Sequence, residues 1–243
     1  MKEHILVTLS KERYKIPEGN SVHLLDDKEA NTFLNDLTNY PHAYVLACIM
    51  DRQIRAERAW EIPWIIKNEL NSFDINVLGS QTLDFYQNLF TSKSLHRFNK
   101  SMANVFYLAI QRIINCYDGD VSKIWSNNPS SASVVYNLLQ FEGCGIKIAT
   151  MAANILARQF KIPFSDYYSI DISPDVHIKR VLERTGLVEK NATNESIIYK
   201  ARELNPEFPG IIDFSCWEIG RNYCKPTNPI CSRCPIEASC KKI

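Results

Sequence analysis

Four of the chain's eight cysteines lie within its last twenty residues, and they restrict what this segment can fold into. Outside oxidising compartments, clustered thiols more often hold metal than form disulfides. Four thiolates in so short a loop suit a tetrahedral zinc ion or a [4Fe-4S] cluster. Only one pair has the C-x2-C spacing of zinc knuckles, so the longer flanking intervals favour the bulkier cluster; zinc and four unrelated thiols remain alternatives. The spacing C-x6-C-x2-C-x5-C comprises Cys224, Cys231, Cys234 and Cys240.

The composition is that of a globular protein, with 243 residues, 45% hydrophobic, 23% charged and a net charge of +1. This balance excludes disordered and fibrous chains. No apolar run is long enough to span a membrane and the start does not resemble a signal peptide, so we expect a cytoplasmic, nucleoid-associated protein. Near-neutrality argues against a nucleic-acid partner, but residues 221–243 carry a local charge of +4, which suits phosphate contact. Its charged residues are Arg221, Lys225, Arg233, Lys241, Lys242 and Glu237.

Helical periodicity dominates the chain, and strand-like alternation is nearly absent, so the sequence predicts an all-α fold. We expect two helical lobes, with residues 1–25 as an irregular arm. Domain boundaries are predicted to give a helical-barrel domain over 34–159, and a second domain formed by 1–33 and 160–243 that ends in the cysteine loop. One helix is expected to begin near Asp26, and the next at Pro41. Further helices are predicted over 62–70, 83–90, 102–117, 132–140, 146–160, 176–185, 194–203 and 211–221.

A very short turn containing Gly143 and Gly145 joins two of these helices. Glycine permits positive φ and close backbone approach. The N–H groups at the start of the second helix would attract a phosphate, in a contact that is blind to base sequence. Lys147 lies in the first turn of that helix, where it can either pair with phosphate or act as an amine nucleophile that forms a Schiff base.

Two carboxylates precede the helix predicted at 176–185. An aspartate directly before a helix, such as Asp175, is most often a simple N-cap. Near a neutral lysine it could instead act as a base and stabilise a developing positive charge on a sugar. Asp171 is its rival for that role, and spacing alone does not decide between them.

The chain resembles the helix-hairpin-helix DNA glycosylase superfamily in its hairpin, lysine, aspartate and cysteine loop, which follow one another in this order. The resemblance extends over about residues 34–240 and is greatest to the endonuclease III branch, whose C-terminal iron–sulfur loop matches C-x6-C-x2-C-x5-C in every interval. The segment Trp217–Tyr223 resembles the helix before that loop. The resemblance therefore implies a [4Fe-4S] cofactor held by the four cysteines, a helix-hairpin-helix motif and duplex DNA as the partner.

The resemblance also implies roles for residues of this chain. Lys147 matches the catalytic lysine, and Asp175 matches the catalytic aspartate because 175–181 keep the D-x-H-h-x-R-V pattern. Gln53 matches a glutamine on an early helix that fills the space left by a flipped base. A wedge between bases is expected near His96 or Arg97. The remaining implied DNA-contacting residues are Gly143, Gly145, Arg52, Arg55 and His177.

The predicted function is a base-excision DNA glycosylase with an associated β-elimination (AP lyase) activity. It would act as a monomer, flipping a damaged or modified base out of duplex DNA and excising it. The alternatives are a monofunctional glycosylase, in which Lys147 only touches phosphate, and a non-catalytic lesion-binding or DNA-binding module. Glu142 and Ile148 replace the hairpin proline and threonine of the family, and two arginines flank Gln53, so the excised base is not predicted.

Overall fold

The computed structural model describes residues 4–15 and 23–242, and all regular elements in these ranges are helical. The predicted all-α fold is therefore confirmed. None of the described helices combines the length and apolarity needed to cross a membrane. The described residues form twelve α-helices and four short 3₁₀ turns. The α-helices are α1 Ile5–Lys15, α2 Lys28–Asn35, α3 Pro41–Met50, α4 Ala56–Leu70, α5 Ile75–Gly79, α6 Leu83–Ser92, α7 Asn99–Tyr117, α8 Ser131–Leu139, α9 Ile146–Arg158, α10 Val176–Thr185, α11 Asn194–Leu204 and α12 Asp213–Asn222. The 3₁₀ turns are Val121–Ile124, Pro209–Ile212, Cys231–Arg233 and Glu237–Ser239.

The chain divides into two compact units. The central unit consists of Glu18–Pro129 and Tyr136–Ile148, and the terminal unit consists of Met1–Pro17, Ser130–Val135 and Ala149–Ile243. The hairpin between α8 and α9 thus belongs to the central unit, and the cysteine loop to the terminal unit. The domain boundaries expected at residues 34 and 159 stay a prediction.

Helix α3 forms the core of the central unit. Every residue from Pro41 to Met50 is buried, as expected for a helix that is apolar on all sides. Pro41 occupies the first turn, where its missing N–H is not needed. Helices α4 and α7 and the 3₁₀ turn Val121–Ile124 pack around α3. The fully buried Tyr44 ring lies edge-on to that of Trp125, with 6.3 Å between centroids.

The terminal unit begins with a helix that the sequence analysis missed. The prediction of an irregular arm over residues 1–25 is wrong for Ile5–Lys15, which form α1; residues 16–22 of that arm lie outside the described part of the chain. Leu6 and Val7 are fully buried, and the Ser10 hydroxyl donates to Ser215 Oγ of α12 at 2.8 Å. Packing against α12 and the turn Pro209–Ile212 thus stabilises a helix whose own apolar periodicity is weak.

Candidate functional site

The turn between α8 and α9 requires glycine at one position and leaves open space at the other. Gly143 has φ +77°, and a Cβ there would lie 3.1 Å from Val105 Cγ1 and from Arg52 Nη1. A side chain at this position would therefore strain the backbone and displace its neighbours. At Gly145 a Cβ would meet nothing within 4 Å. The exposed backbone at Gly145 is accessible for close approach by a ligand.

Lys147 of α9 forms an ion pair with Asp51, the residue that ends α3. Nζ lies 2.8 Å from Oδ2 of Asp51, and the two side chains are 39% and 11% exposed. The lysine is thus reachable from solvent while its carboxylate partner is largely buried. Both residues belong to the central unit.

Two buried thiols lie in the same region. Burial raises the pKa of Cys144 to about 12. Burial also raises the pKa of Cys48, and the Tyr44 hydroxyl lowers it in part; Cys48 further interacts electrostatically with Cys144, Asp51 and Lys147. Both thiols are therefore neutral at physiological pH, and the charged groups of this cluster are Asp51 and Lys147.

Gln53 lies in the loop between α3 and α4, not on a helix as the resemblance implies. It has φ +55° and is exposed, as are Arg52 and Arg55 on either side of it. Arg97 Nη1 donates to the Gln53 carbonyl at 3.4 Å. The predicted DNA-contacting side chains of this loop thus lie on the surface of the central unit, where their role stays a prediction.

Of the two wedge candidates, only Arg97 is exposed. His96 is 3% exposed, its Nε2 lies 3.3 Å from the Met50 carbonyl, and its pKa is lowered by burial. The guanidinium of Arg97 lies over the Phe98 ring at 4.9 Å, and Phe98 is 41% exposed. Phe98 is an exposed apolar side chain that the sequence analysis missed, because one aromatic residue between polar neighbours gives no periodic signal.

The two candidate carboxylates of the terminal unit have different partners. Asp175 is the N-cap of α10, and its Oδ1 accepts from the backbone N–H groups of His177 and Ile178, each at 2.8 Å. Asp171 is 6% exposed, and its two oxygens accept from Arg202 at 2.8 and 2.7 Å. The geometry therefore gives Asp171 a structural ion pair with Arg202, while Asp175 remains partly accessible.

Asp213, at the start of α12, is a third carboxylate that the sequence analysis did not single out. Its Oδ2 accepts from the Ser173 backbone N–H at 2.6 Å. Burial, the larger cause, and the neighbouring charge of Asp175, the smaller one, raise the pKa of Asp213 to about 6. The hydrogen bonds from Ser173 and the charge of Arg158 act in the opposite direction and lower it. An acidic residue in the first turn of a helix is ordinary in sequence, so only the fold reveals its proximity to Asp175.

His177, predicted to contact DNA, packs against α12. A Cβ on Gly220 would lie 2.7 Å from the His177 Cβ, so Gly220 allows the two helices to approach closely. His177 Nδ1 lies 3.0 Å from Arg180 Nη2, and Arg180 also donates to the Gly220 carbonyl at 2.9 Å. In the described structure, the ring of His177 thus has an intramolecular partner, and its contact with DNA stays a prediction.

The four C-terminal cysteines line one cavity of about 300 Å³, together with residues of α10 and α12. Within residues 4–15 and 23–242, no group of three or more His, Cys, Asp or Glu side chains is arranged to hold a single metal ion. Arg184 Nη1 donates to Cys224 Sγ at 3.5 Å, and its backbone carbonyl lies 3.4 Å from Cys240 Sγ. The four thiols therefore surround the cavity, and the guanidinium of Arg184 lies beside them.

Comparison with known proteins identifies the class to which this fold belongs. No protein-family model matches the chain. Endonuclease III of Thermotoga maritima is 34% identical over 105 residues, which are 43% of this chain and 44% of that protein. The chain therefore matches less than half the length of this curated relative.

Solved structures resemble the chain over nearly its whole length. A trapped covalent intermediate of endonuclease III with DNA has a TM-score of 0.65 at 15% identity, and covers 98% of this chain and 93% of that one. A thermostable thymine-DNA glycosylase has a TM-score of 0.63 at 14% identity, with 98% and 94% covered. At these identities the structural likeness is one of fold. Together with the partial sequence match, it shows that the chain is similar in fold to endonuclease III and to a thymine-DNA glycosylase.

Asp213 should make stability depend on pH. Its folded-state pKa of about 6 exceeds the ordinary 3.8, so between these values the folded state binds more protons than the unfolded state. The contribution of Asp213 to stability is therefore present below pH 4 and lost as pH rises through 6. Asp213→Asn keeps an acceptor for Ser173 and removes this loss. Relative to the parent, we expect the variant to gain roughly 2 kcal/mol in free energy of unfolding between pH 4 and 7, measured by urea denaturation.

The control is Asp84→Asn, which removes an exposed carboxylate from the first turn of α6. Its free energy of unfolding should follow the parent's at each pH. If the free energy of unfolding of Asp213→Asn depended on pH as the parent's does, the raised pKa of Asp213 would be contradicted.

Proposed function

We propose that the chain is a base-excision DNA glycosylase with an associated AP lyase activity, and that its partner is duplex DNA containing a damaged or modified base. The observation that carries this proposal is the accessible amine of Lys147 at the head of the hairpin helix, beside a buried carboxylate. A lysine amine at such a position suits attack on a sugar carbon. The covalent DNA intermediate of the structurally similar endonuclease III supports the proposal.

The proposed mechanism assigns a separate task to each element. The hairpin backbone at Gly145 approaches a phosphate without regard to sequence. One nucleotide leaves the base stack, at a cost of a few kcal/mol that is lowest for a poorly paired base, and Gln53 helps to fill the gap. Lys147 attacks the anomeric carbon of the deoxyribose, and the charge of Asp175 stabilises the cationic sugar. The resulting Schiff base then eliminates the 3′ phosphate.

Lys147→Ala should abolish borohydride trapping on duplexes with a preformed abasic site, because no amine is left to form the imine that borohydride reduces. The matched control is Lys123→Ala, which removes another lysine paired with an aspartate, at 2.7 Å in an exposed position. The control should trap as the parent does.

Two other outcomes identify the alternative functions. Release of free base from intact strands, without trapping by the parent, would indicate a monofunctional glycosylase. Duplex binding without base release or strand cleavage, over oxidised, deaminated and alkylated bases, would indicate a non-catalytic binding module. Trapping by Lys147→Ala at the parent's level would contradict the lysine assignment.

The two rival carboxylates are separated by their asparagine variants. Asparagine is also a good N-cap, so Asp175→Asn should keep α10 intact and lower base release by about 100-fold, through the loss of a stabilising charge. Asp171→Asn should weaken the ion pair with Arg202, lower the free energy of unfolding by about 1 kcal/mol and leave base release nearly unchanged. Single-turnover base release and urea denaturation measure both effects, and the reverse pattern would make Asp171 the catalytic carboxylate.

We further propose that Cys224, Cys231, Cys234 and Cys240 hold a [4Fe-4S] cluster. The cavity of about 300 Å³ that these four thiols line supports the proposal. When bound, the cluster would tie the C-terminal loop to α10 and α12 and thereby position the basic residues of 221–243. The cytoplasmic location and the monomeric state stay predictions.

Cluster content is tested by anaerobic purification. The parent should be brown and contain about four iron atoms per chain. Cys234→Ser should lose most of this iron, whereas Cys116→Ser, an exposed cysteine outside the loop, should retain it. A colourless parent with stoichiometric zinc would contradict the proposal.

A further inference from the structure

The ion pair between Asp51 and Lys147 bears on how the lysine becomes a nucleophile. An ammonium has no lone pair, so it must lose a proton before it attacks carbon. Asp51 Oδ2 is 2.8 Å from Nζ, within hydrogen-bond reach for a direct transfer. This contact lies wholly within the central unit.

The other titratable groups of this cluster are unsuited to accept the proton. Cys48 and Cys144 are already protonated at neutral pH, because burial raises their pKa values. Arg52, next to Asp51 in the chain, is cationic and has no acceptor. Of these groups, Asp51, with its side chain 11% exposed, is therefore the one suited to accept the proton of Lys147.

We infer that Asp51 is a catalytic residue that takes the proton of Lys147 and returns it to the departing base, an inference that rests on the proposed function. Asp175 then has a single role, which is to stabilise the cationic sugar. This division of roles differs from the sequence-based expectation that one aspartate performs both.

The proposed step balances atoms and charge. One proton moves from Nζ to Oδ2 of Asp51, and the freed lone pair of Nζ forms a bond to the anomeric carbon. The glycosidic bond breaks, and its electron pair leaves with the base. The departing base takes the proton from Asp51, which becomes a carboxylate again. The net positive charge stays on the nitrogen that now joins Lys147 to the sugar.

Asp51→Asn tests the inference because asparagine keeps the size and an acceptor but cannot carry the proton. We expect base release to slow by at least about tenfold, as for the loss of a general base. Trapping at a preformed abasic site should fall far less than base release, since the aldehyde has no departing base to protonate and the half-exposed Lys147 can lose its proton to solvent. Asp51→Glu, which restores a carboxylate, should recover part of the base release.

Single-turnover base release is measured on the duplex that the parent cleaves best among those containing uracil, an oxidised pyrimidine or 8-oxoguanine. Borohydride trapping is measured on an abasic duplex. The matched control is Asp118→Asn, which removes the carboxylate from an exposed lysine pair of 2.7 Å at a position with φ +53° that asparagine tolerates. It should match the parent in both assays, and thermal melting checks that all variants fold.

The outcomes separate this inference from the proposed function. If the parent neither releases base nor traps, the proposed function fails. If the parent does both and Asp51→Asn equals it in both assays, the inference alone is overturned. It is also overturned if base release and trapping fall together in the folded variant, because Asp51 would then only hold the lysine in place.

Discussion

The complete burial of α3 is the constraint on which the rest of the central unit depends. A helix that is apolar on all sides gains stability only when other elements enclose it. Helices α4 and α7 do so here, with the 3₁₀ turn Val121–Ile124. Enclosure fixes the end of α3 and therefore the position of Asp51, which follows its last residue. The core thus fixes the position of this ion pair, because Lys147 meets the carboxylate at the end of a helix that has little freedom to shift.

Much of this architecture follows from local sequence, and the exceptions have physical causes. The apolar run at Pro41, Gly143 of the hairpin and the N-cap at Asp175 each specify a local conformation, and each occurs where the sequence predicts it. Helix α1 was missed because it depends on packing against α12. The short helix α5 was also missed; it begins at an Asp74 cap and comprises only Ile75–Gly79, too short for a periodic signal.

The residue types of the candidate site could be predicted from the sequence, but the side-chain pairs that they form could not. The sequence indicates that Lys147 and Asp175 are chemically suited to the roles proposed for them, but pairing across 96 positions, as for Lys147 and Asp51, leaves no local pattern. The same holds for Asp213, which lies 40 positions from its partner Ser173. Each pair joins residues from distant segments of the chain, so only the packing of those segments creates it.

Three carboxylates of the terminal unit show how burial separates structural from chemical roles. Both oxygens of Asp171 accept hydrogen bonds from the guanidinium of Arg202, an arrangement that fixes its segment. Asp175 accepts two backbone N–H groups yet remains partly exposed. Asp213 is partly buried near the charge of Asp175, and its raised pKa of about 6 indicates a charge that the fold bears at a cost. Perturbed carboxyls of this kind cluster at functional sites, and the raised pKa of Asp213 is therefore best understood together with Asp175, two residues beyond the Ser173 that donates to it.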